Sequence, residues 1–331
     1  AMYEAIHANI DIAREIFRVK AQKLGRAGIA WFEREAPLPL ESSETLSWEQ
    51  GRNMIGRAFA TAYPGLGDYY TDILLRNNWV ESEARGGKRP GAFCTGSDVT
   101  AEQRIYMTFN GSLGDVTTLA HETGHAWHGH LMRKMRPMAR EYPMTLAETA
   151  SIFAENIFAE GVYADPDVPG DAKTRMLDAE LSGAATLILD ITTRFEFEKV
   201  FYEEREGGEV SVDRCKALMV ETQQRLFGDA LLDGGGDPLF WASKLHFYIS
   251  DLSFYNFPYT FGFLLARSLH AIFKEEGSAF LPRYEAFLRL AGSDTVEAVA
   301  KRSIGADVTD PAFWAKAIQS LTEPLEKFRE G

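Results

Sequence analysis

The stretch His121-Glu122-Thr123-Gly124-His125 follows an apolar run at 116–120, and together they predict a buried helix. Residues four positions apart lie on one helix face, one turn apart, so the two imidazoles project together. Two histidines in this arrangement can fill two positions around a tetrahedral zinc ion, with the intervening glutamate beside the metal. The alternative is an ordinary helix with two surface histidines, but a chance match to this pattern arises in only about one chain per hundred.

Glycine is unfavourable in the interior of this predicted helix. At position 124 it costs about 1 kcal/mol relative to alanine, and such a glycine often allows another backbone to approach closely. We therefore expect a second element of the chain to pass near Gly124.

A catalytic zinc needs a third protein ligand and an open fourth position. The downstream candidates are His128, His130, Glu141, Glu148, Glu155 and Glu160. The metzincin pattern would require glycine and histidine where this chain has His128 and Leu131, so that class is excluded. We expect Glu148 to be the ligand, because its small neighbours at 147–151 would let a second helix pack closely on the first.

Two other candidates have different expected roles. Glu155 lies two turns after Glu148 on the same predicted face, so it could accept a hydrogen bond from a zinc-ligating histidine. The alternative for Glu155 is a salt-bridged or solvated helix residue. His128 falls near the ligand face, but we expect an interior or substrate-facing histidine there rather than a ligand.

An aromatic segment at 246–262 carries one imidazole and several phenols, with Pro258 disturbing a helix. Aromatic stripes usually pack in a core. Peptide hydrolysis, however, builds an oxyanion that needs a hydrogen-bond donor besides the metal, and tyrosine and histidine supply such donors. Both interpretations stay open from the residues alone.

Composition excludes several classes of protein. The chain has 331 residues, a net charge of −13, 45% hydrophobic and 25% charged residues, which are globular proportions. The acidic balance argues against nucleic acid as a partner. The sequence contains no apolar run of the roughly 18 residues that span a membrane and no visible signal peptide, so we expect a cytoplasmic protein. Cys94 and Cys215 are expected to be free thiols, with one long-range disulfide as the alternative.

The hydrophobic pattern predicts a single α-rich domain over 1–331, with one small antiparallel sheet at about 78–110. Strands are expected at 80–84 and 105–109. The glycines at 86–87 precede Lys88, but Arg89 stands where a phosphate loop needs serine or threonine, so a turn is favoured. Helices are expected at 4–24, 47–62, 66–77, 115–134, 144–163, 170–206 and 211–227, and with interruptions over 239–328.

These motifs together resemble the thimet oligopeptidase / oligoendopeptidase F family of zinc metallopeptidases. The resemblance rests on 121–125 followed by Ala147-Glu148-Thr149-Ala150-Ser151, and it extends over nearly the whole chain. It includes Gly87-Lys88-Arg89-Pro90-Gly91-Ala92-Phe93, the stretch 110–116, and Tyr255-Asn256-Phe257-Pro258-Tyr259-Thr260-Phe261-Gly262. The pattern is most similar to the oligoendopeptidase F branch.

The resemblance implies a mainly α, zincin-type catalytic domain and a zinc-dependent endopeptidase that hydrolyses oligopeptides. One Zn²⁺ per chain would be bound by three ligands, with a glutamate as the general base that takes a proton from the attacking water. In the aromatic segment, one histidine and two tyrosines would stabilise the transition state and hold the substrate. The implied metal ligands are His121, His125 and Glu148, and the implied catalytic residues are Glu122, His246, Tyr255 and Tyr259.

Members of this family are considerably longer and carry a helical N-terminal lobe over the zinc. We therefore expect this chain to correspond to the catalytic part. The candidate partners are oligopeptides and that lobe, and neither nucleic acid nor a membrane is expected. One alternative is a catalytically incomplete fragment that needs a separate lobe. Another is a zinc hydrolase with a non-peptide substrate, which the strand-like segment near 91–93 disfavours because strands suit extended peptides.

Overall fold

A computed structural model describes residues 1–40 and 45–330. Most of the described chain is helical, as predicted. The α-helices are α1 (Met2–Ala8), α2 (Ile10–Lys23), α3 (Trp48–Ala62), α4 (Pro64–Asp68), α5 (Leu113–Met132), α6 (Met144–Ala147), α7 (Thr149–Ala164), α8 (Gly170–Ala185), α9 (Ile191–Arg205), α10 (Val212–Phe227), α11 (Phe257–Glu276), α12 (Leu281–Leu290), α13 (Val296–Ser303), α14 (Pro311–Gln319) and α15 (Thr322–Glu330).

The small sheet has three strands: β1 (Val80–Glu81), β2 (Phe93–Ser97) and β3 (Glu102–Tyr106), in the order β1-β3-β2. Its position before α5 is confirmed. The expected antiparallel pairing holds for β2 and β3, whereas β1 and β3 are parallel. Strand β2 lies between β1 and β3 in the sequence, and the chain reverses direction before and after it. Strands β1 and β3, the two expected from the sequence, therefore run in the same direction.

Several expected helices differ in detail. Helix α5 begins at the capping residue Ser112, whose side chain accepts a hydrogen bond from the Asp115 amide. The helix expected over 144–163 is broken at Glu148, which separates α6 from α7 with φ −86° and ψ 3°. The expected helices 66–77 and 170–206 contain π-helical turns at Tyr69–Leu75 and Thr186–Asp190.

The described residues divide into two compact units, and the single-domain organisation stays a prediction. Unit 1 comprises 1–40, 177–264 and the residues from 314 onward. In its core, Phe17 stacks on Phe227, and Trp31 contacts both Phe227 and Phe240. Lys20 is buried in the same unit, where its ammonium lies 3.1 Å from the Asp178 carboxylate.

Unit 2 comprises 45–176 and 265–313, and it contains the sheet and helix α5. The indole of Trp127 donates a hydrogen bond to the Tyr63 hydroxyl, and that hydroxyl lies 3.0 Å from the Glu285 carboxylate. Phe153 of α7 stacks on Tyr284 of α12 at 4.1 Å. These contacts fix α7 and α12 around α5.

Helix α7 crosses α5 at Gly124, as the sequence predicted. A Cβ atom at position 124 would lie 2.4 Å from the Ala150 carbonyl oxygen and 2.6 Å from the Ser151 Cα atom. Only a residue without a side chain lets the two backbones approach this closely. The packing therefore sets the spacing between His121, His125 and the start of α7.

Two further observations concern the described residues as a whole. Both Cys94 and Cys215 are free thiols, as predicted. Within 1–40 and 45–330, none of the helices has the length and apolar character needed to cross a membrane.

Replacing Gly124 with alanine is expected to destabilise the protein by about 1–3 kcal/mol, because the new methyl group must displace backbone atoms of α7. Urea denaturation measures the change in the free energy of unfolding. Gly183→Ala in α8 is the matched control, because a Cβ there meets no atom within 4 Å. Equal stability of the two variants would contradict the close-packing interpretation.

Candidate active site

Three side chains of unit 2 converge at the crossing of α5 and α7. The Nε2 atoms of His121 and His125 lie 3.1 Å apart. The Oε2 atom of Glu148 lies 3.3 Å from the first of these nitrogens and 3.4 Å from the second. Among the residues described, these three form a group that could hold a metal ion. The break between α6 and α7 places the Glu148 carboxylate at this point.

Glu155, on α7, contacts His121 from outside the triangle formed by His121, His125 and Glu148. Its carboxylate accepts a hydrogen bond from Nδ1 of His121, leaving Nε2 directed at the triangle. Burial alone would lower the pKa of His121, but Glu155, Glu148 and Glu122 raise it above its ordinary value. The arrangement fixes the imidazole's orientation and tautomer, as the sequence interpretation of Glu155 anticipated.

The surroundings of Glu148 favour the ionised form of its carboxyl group. Burial raises its pKa, but His125, His121 and Ser151 outweigh burial and bring it to about 2. The Ser151 hydroxyl donates a 2.7 Å hydrogen bond to the same Oε2 atom that faces the histidines. Ser151 therefore holds the carboxylate in position.

Glu122 lies beside the three converging side chains but is not one of them. It is 5% exposed, and its Oε2 atom is buried without a hydrogen-bond partner among the described residues. Burial raises the pKa of this carboxyl above its ordinary value; Glu148 adds to the rise, and His121, His125 and the Cys94 backbone amide oppose it. A carboxyl group with a raised pKa is a better proton acceptor near neutral pH than an ordinary one.

Strand β2 borders this site through Cys94, whose thiol is also close enough to Glu122 for the carboxylate to raise its pKa. Burial is the larger cause, and the pKa of Cys94 reaches about 12, so the thiol stays protonated. Since β2 is at an edge of the sheet, its outer backbone groups are not paired with another strand of that sheet.

The other sequence candidates for the third ligand lie outside the triangle. His128 is fully buried, its Nε2 atom lies 3.0 Å from the Leu288 carbonyl oxygen, and its ring stacks on Tyr142. His130 packs against Tyr69 and Trp127. Glu160 pairs with Lys274, and Glu141 is exposed.

The three predicted catalytic residues of the aromatic segment lie together in unit 1. His246 Nε2 is 3.3 Å from the Tyr259 hydroxyl, and the His246 ring stacks on Tyr255 at 5.7 Å. Burial lowers the pKa of His246, and the positive charges of Arg194 and Lys244 lower it further. The imidazole is therefore neutral near pH 7 and can act as a donor through one nitrogen.

Sequence reasoning gave no role to Ser151, Cys94, Arg194 or Lys244. Ser151 had a usable signal, because it lies three residues after the expected ligand at the start of a helix. Cys94 and Arg194 act on Glu122 and His246 from distant positions in the sequence, for which spacing along the chain gives no signal.

Known proteins are similar to this chain in sequence. The model of peptidase family M3 matches residues 66–320. Oligopeptidase PepF of Bacillus subtilis (strain 168) is 25% identical over 336 aligned positions, which cover 99% of this chain and 48% of that protein. An oligoendopeptidase F homolog of Lactococcus lactis subsp. lactis (strain IL1403) is 26% identical, covering 99% and 54%. The chain thus spans about half the length of the curated relatives it matches.

Solved structures share the fold. A crystal structure assigned as a peptidase from Chlamydophila abortus superimposes with a TM-score of 0.81 and 21% identity, covering 100% of this chain and 56% of that one. PZ peptidase A with inhibitor 2 gives a TM-score of 0.70 and 18% identity, covering 98% and 58%. The family match covers most of the sequence and includes every residue that converges in unit 2. The chain belongs to peptidase family M3, and the relatives it matches bear out the resemblance to oligoendopeptidase F.

Proposed function

We propose that this chain is a zinc-dependent endopeptidase that hydrolyses oligopeptides. The observation that carries the proposal is the triangle of His121 Nε2, His125 Nε2 and Glu148 Oε2, with sides of 3.1 to 3.4 Å. Nitrogen and oxygen ligands about 2.0–2.2 Å from a tetrahedral ion lie about 3.3–3.6 Å from each other. The donor set therefore fits a small divalent metal, and two imidazoles with one carboxylate favour zinc.

The charges around the triangle support the same assignment. Glu122, Glu148 and Glu155 surround two histidines, so the group is negative when both imidazoles are neutral. A divalent cation offsets this charge. When bound, it supplies Lewis-acid polarisation of the scissile carbonyl and of a water molecule.

The chain's own residues then perform the proton transfers. Glu122 accepts a proton from the attacking water, because its carboxyl is buried and one of its oxygens has no competing hydrogen bond. It then passes that proton to the leaving amine as the C–N bond breaks. Glu155 holds the His121 ring, and Ser151 holds the Glu148 carboxylate.

Each unit, taken by itself, carries groups that we propose as contacts for a peptide. An extended peptide could add to the free edge of β2, whose Cys94 amide lies at Glu122. We assign His246, Tyr255 and Tyr259 as hydrogen-bond donors to the substrate, because their imidazole and phenol groups cluster and His246 is neutral.

The alternative, a fragment that needs a separate lobe for activity, predicts an uncovered apolar face on residues 4–35. In unit 1 this face is buried: Ile6, Ile16 and Phe17 have no exposed surface. Phe32 is the exception at 85% exposed. The burial of this face supports the peptidase proposal over this alternative.

Replacing Glu122 with glutamine should leave metal binding intact and reduce peptide cleavage by at least about 100-fold, because the amide cannot accept the proton. Cleavage of a quenched fluorescent peptide measures turnover, and elemental analysis measures bound zinc. Turnover close to the unmodified rate in the zinc-loaded variant would contradict the role of Glu122.

Removing the metal should abolish cleavage, and zinc should restore it. His121→Ala should weaken zinc affinity by more than about 100-fold. This loss is larger than the one expected when a residue that only hydrogen-bonds a ligand is removed. Competition with a chromophoric chelator gives the affinity. Chelator-resistant cleavage would contradict metal dependence, whereas a chain holding one equivalent of zinc without cleavage would favour the incomplete-fragment alternative.

Glu155→Ala should weaken zinc affinity by about 10–100-fold, because His121 loses the group that orients it. Glu155→Gln keeps an oxygen acceptor and should recover part of the affinity. Glu160→Ala on the same helix is the control, since Glu160 pairs with Lys274 rather than with a ligand. If Glu155→Ala and Glu160→Ala bind zinc equally well, Glu155 does not position His121.

A further inference from the structure

A cluster of positive charge in unit 1 has no role in the chemistry described so far. Arg34 and Arg194 are both buried, at 7% and 9% exposure, and both bind one buried carboxylate, that of Asp190. Arg194 bonds both Asp190 oxygens, at 2.9 and 3.0 Å, and Arg34 bonds one at 2.9 Å. Two permanent positive charges thus share one negative charge.

Lys244 adds a third cation to this cluster. Its ammonium lies 4.5 Å from the centre of the Phe240 ring, and the same ring faces Arg194 at 5.2 Å and Arg34 at 5.7 Å. Within the described part of the chain, the Lys244 ammonium makes no hydrogen bond and no ion pair. Both oxygens of Asp190 accept hydrogen bonds from the two arginines. The half-buried Asp237 accepts a hydrogen bond from the Leu239 amide.

Unused polar groups surround the same cations. Asn256 has no exposed surface; its carbonyl oxygen accepts from Arg194, and its amide nitrogen has no partner among the described residues. His246, two residues after Lys244, likewise has a buried Nδ1 atom without a partner. A cluster with surplus positive charge and unsatisfied polar groups is incomplete without an anion.

We propose that Lys244, backed by Arg34 and Arg194, binds a carboxylate of the peptide substrate. A carboxylate is the anion that every linear peptide carries at its C-terminus and that acidic side chains also supply. The inference rests on the proposed function, since it assigns the cluster to the substrate that His246 contacts. It identifies Lys244 as a specificity-determining residue, with the arginines supplying a fixed positive field.

The surroundings of the Lys244 ammonium, which disfavour its charged form, support this role. Burial lowers the pKa of its ammonium, Arg194 and Arg34 lower it further, and Asp190 and Asp237 only partly oppose them. A carboxylate placed beside it would reverse that effect and form a charge-assisted hydrogen bond. Asp190 holds Arg34 and Arg194 in place, so the positive charge near Lys244 is fixed.

The test compares three peptides of the same length: one with a free C-terminus, one with a C-terminal amide, and the amide with one internal glutamine replaced by glutamate. Binding is measured by fluorescence anisotropy in the E122Q chain, so it does not depend on turnover. At least one carboxylate peptide should bind about ten-fold more tightly than the neutral amide, as expected for a charge-assisted hydrogen bond. Tighter binding of the peptide with the free C-terminus would identify the terminal carboxylate as the ligand. Tighter binding of the glutamate peptide would identify a side-chain carboxylate.

K244M in the same background should weaken binding of the preferred carboxylate peptide about ten-fold more than binding of the neutral amide, whereas K244R should keep part of the preference. K199M is the matched control, because Lys199 is an exposed lysine of unit 1 on α9. Circular dichroism verifies that each variant is folded. Equal binding of the three peptides by the starting chain would overturn the inference. So would a K244M effect of equal size on all three, which would mean that Lys244 acts only through His246.

The outcomes separate this inference from the proposed function. Carboxylate-selective binding that depends on Lys244, in a chain that cleaves no peptide with zinc bound, supports the inference and contradicts only the endopeptidase. Metal-dependent cleavage with no difference between the three peptides overturns the inference and leaves the endopeptidase intact. Failure of every peptide to bind overturns both.

Discussion

The candidate metal site depends on the contact between the backbones of α5 and α7 at Gly124. At that crossing the Ala150 carbonyl and the Ser151 Cα occupy the space that a side chain would take. The close approach brings Glu148 within 3.4 Å of two imidazole nitrogens. It also brings Glu155, two turns further along α7, to the opposite nitrogen of His121. One glycine therefore determines both the triangle and the group that orients it.

The sequence predicted the parts of this site that follow from helical periodicity. The i, i+4 spacing of His121 and His125 needs only a helix, and Gly124 indicated that a second backbone passes close by. Glu148 followed from its small neighbours. The break at Glu148 could not be predicted in this way, because residues 144–151 have no proline or glycine to interrupt a helix. Tertiary packing, not local preference, ends α6 there.

The sheet shows the same limit on a larger scale. Its existence and position before α5 followed from short apolar runs and turn residues. The parallel pairing of β1 with β3 did not, because it depends on β2 forming between them from the stretch Phe93-Cys94-Thr95-Gly96-Ser97, which has two glycine or serine positions and little apolar pattern. Cross-strand partners are set by non-local contacts, and alternation along one segment reports only which face is buried.

Each of the two groups of candidate residues, taken by itself, carries a surplus of charge. In unit 2, three glutamates gather around two histidines, and the surplus is negative. In unit 1, three cations gather around one ring with a single fully buried carboxylate, and the surplus is positive. A surplus of buried charge is costly unless a ligand of opposite sign offsets it. The first surplus suits a divalent cation, and the second suits an anion such as the substrate carboxylate that we propose for Lys244.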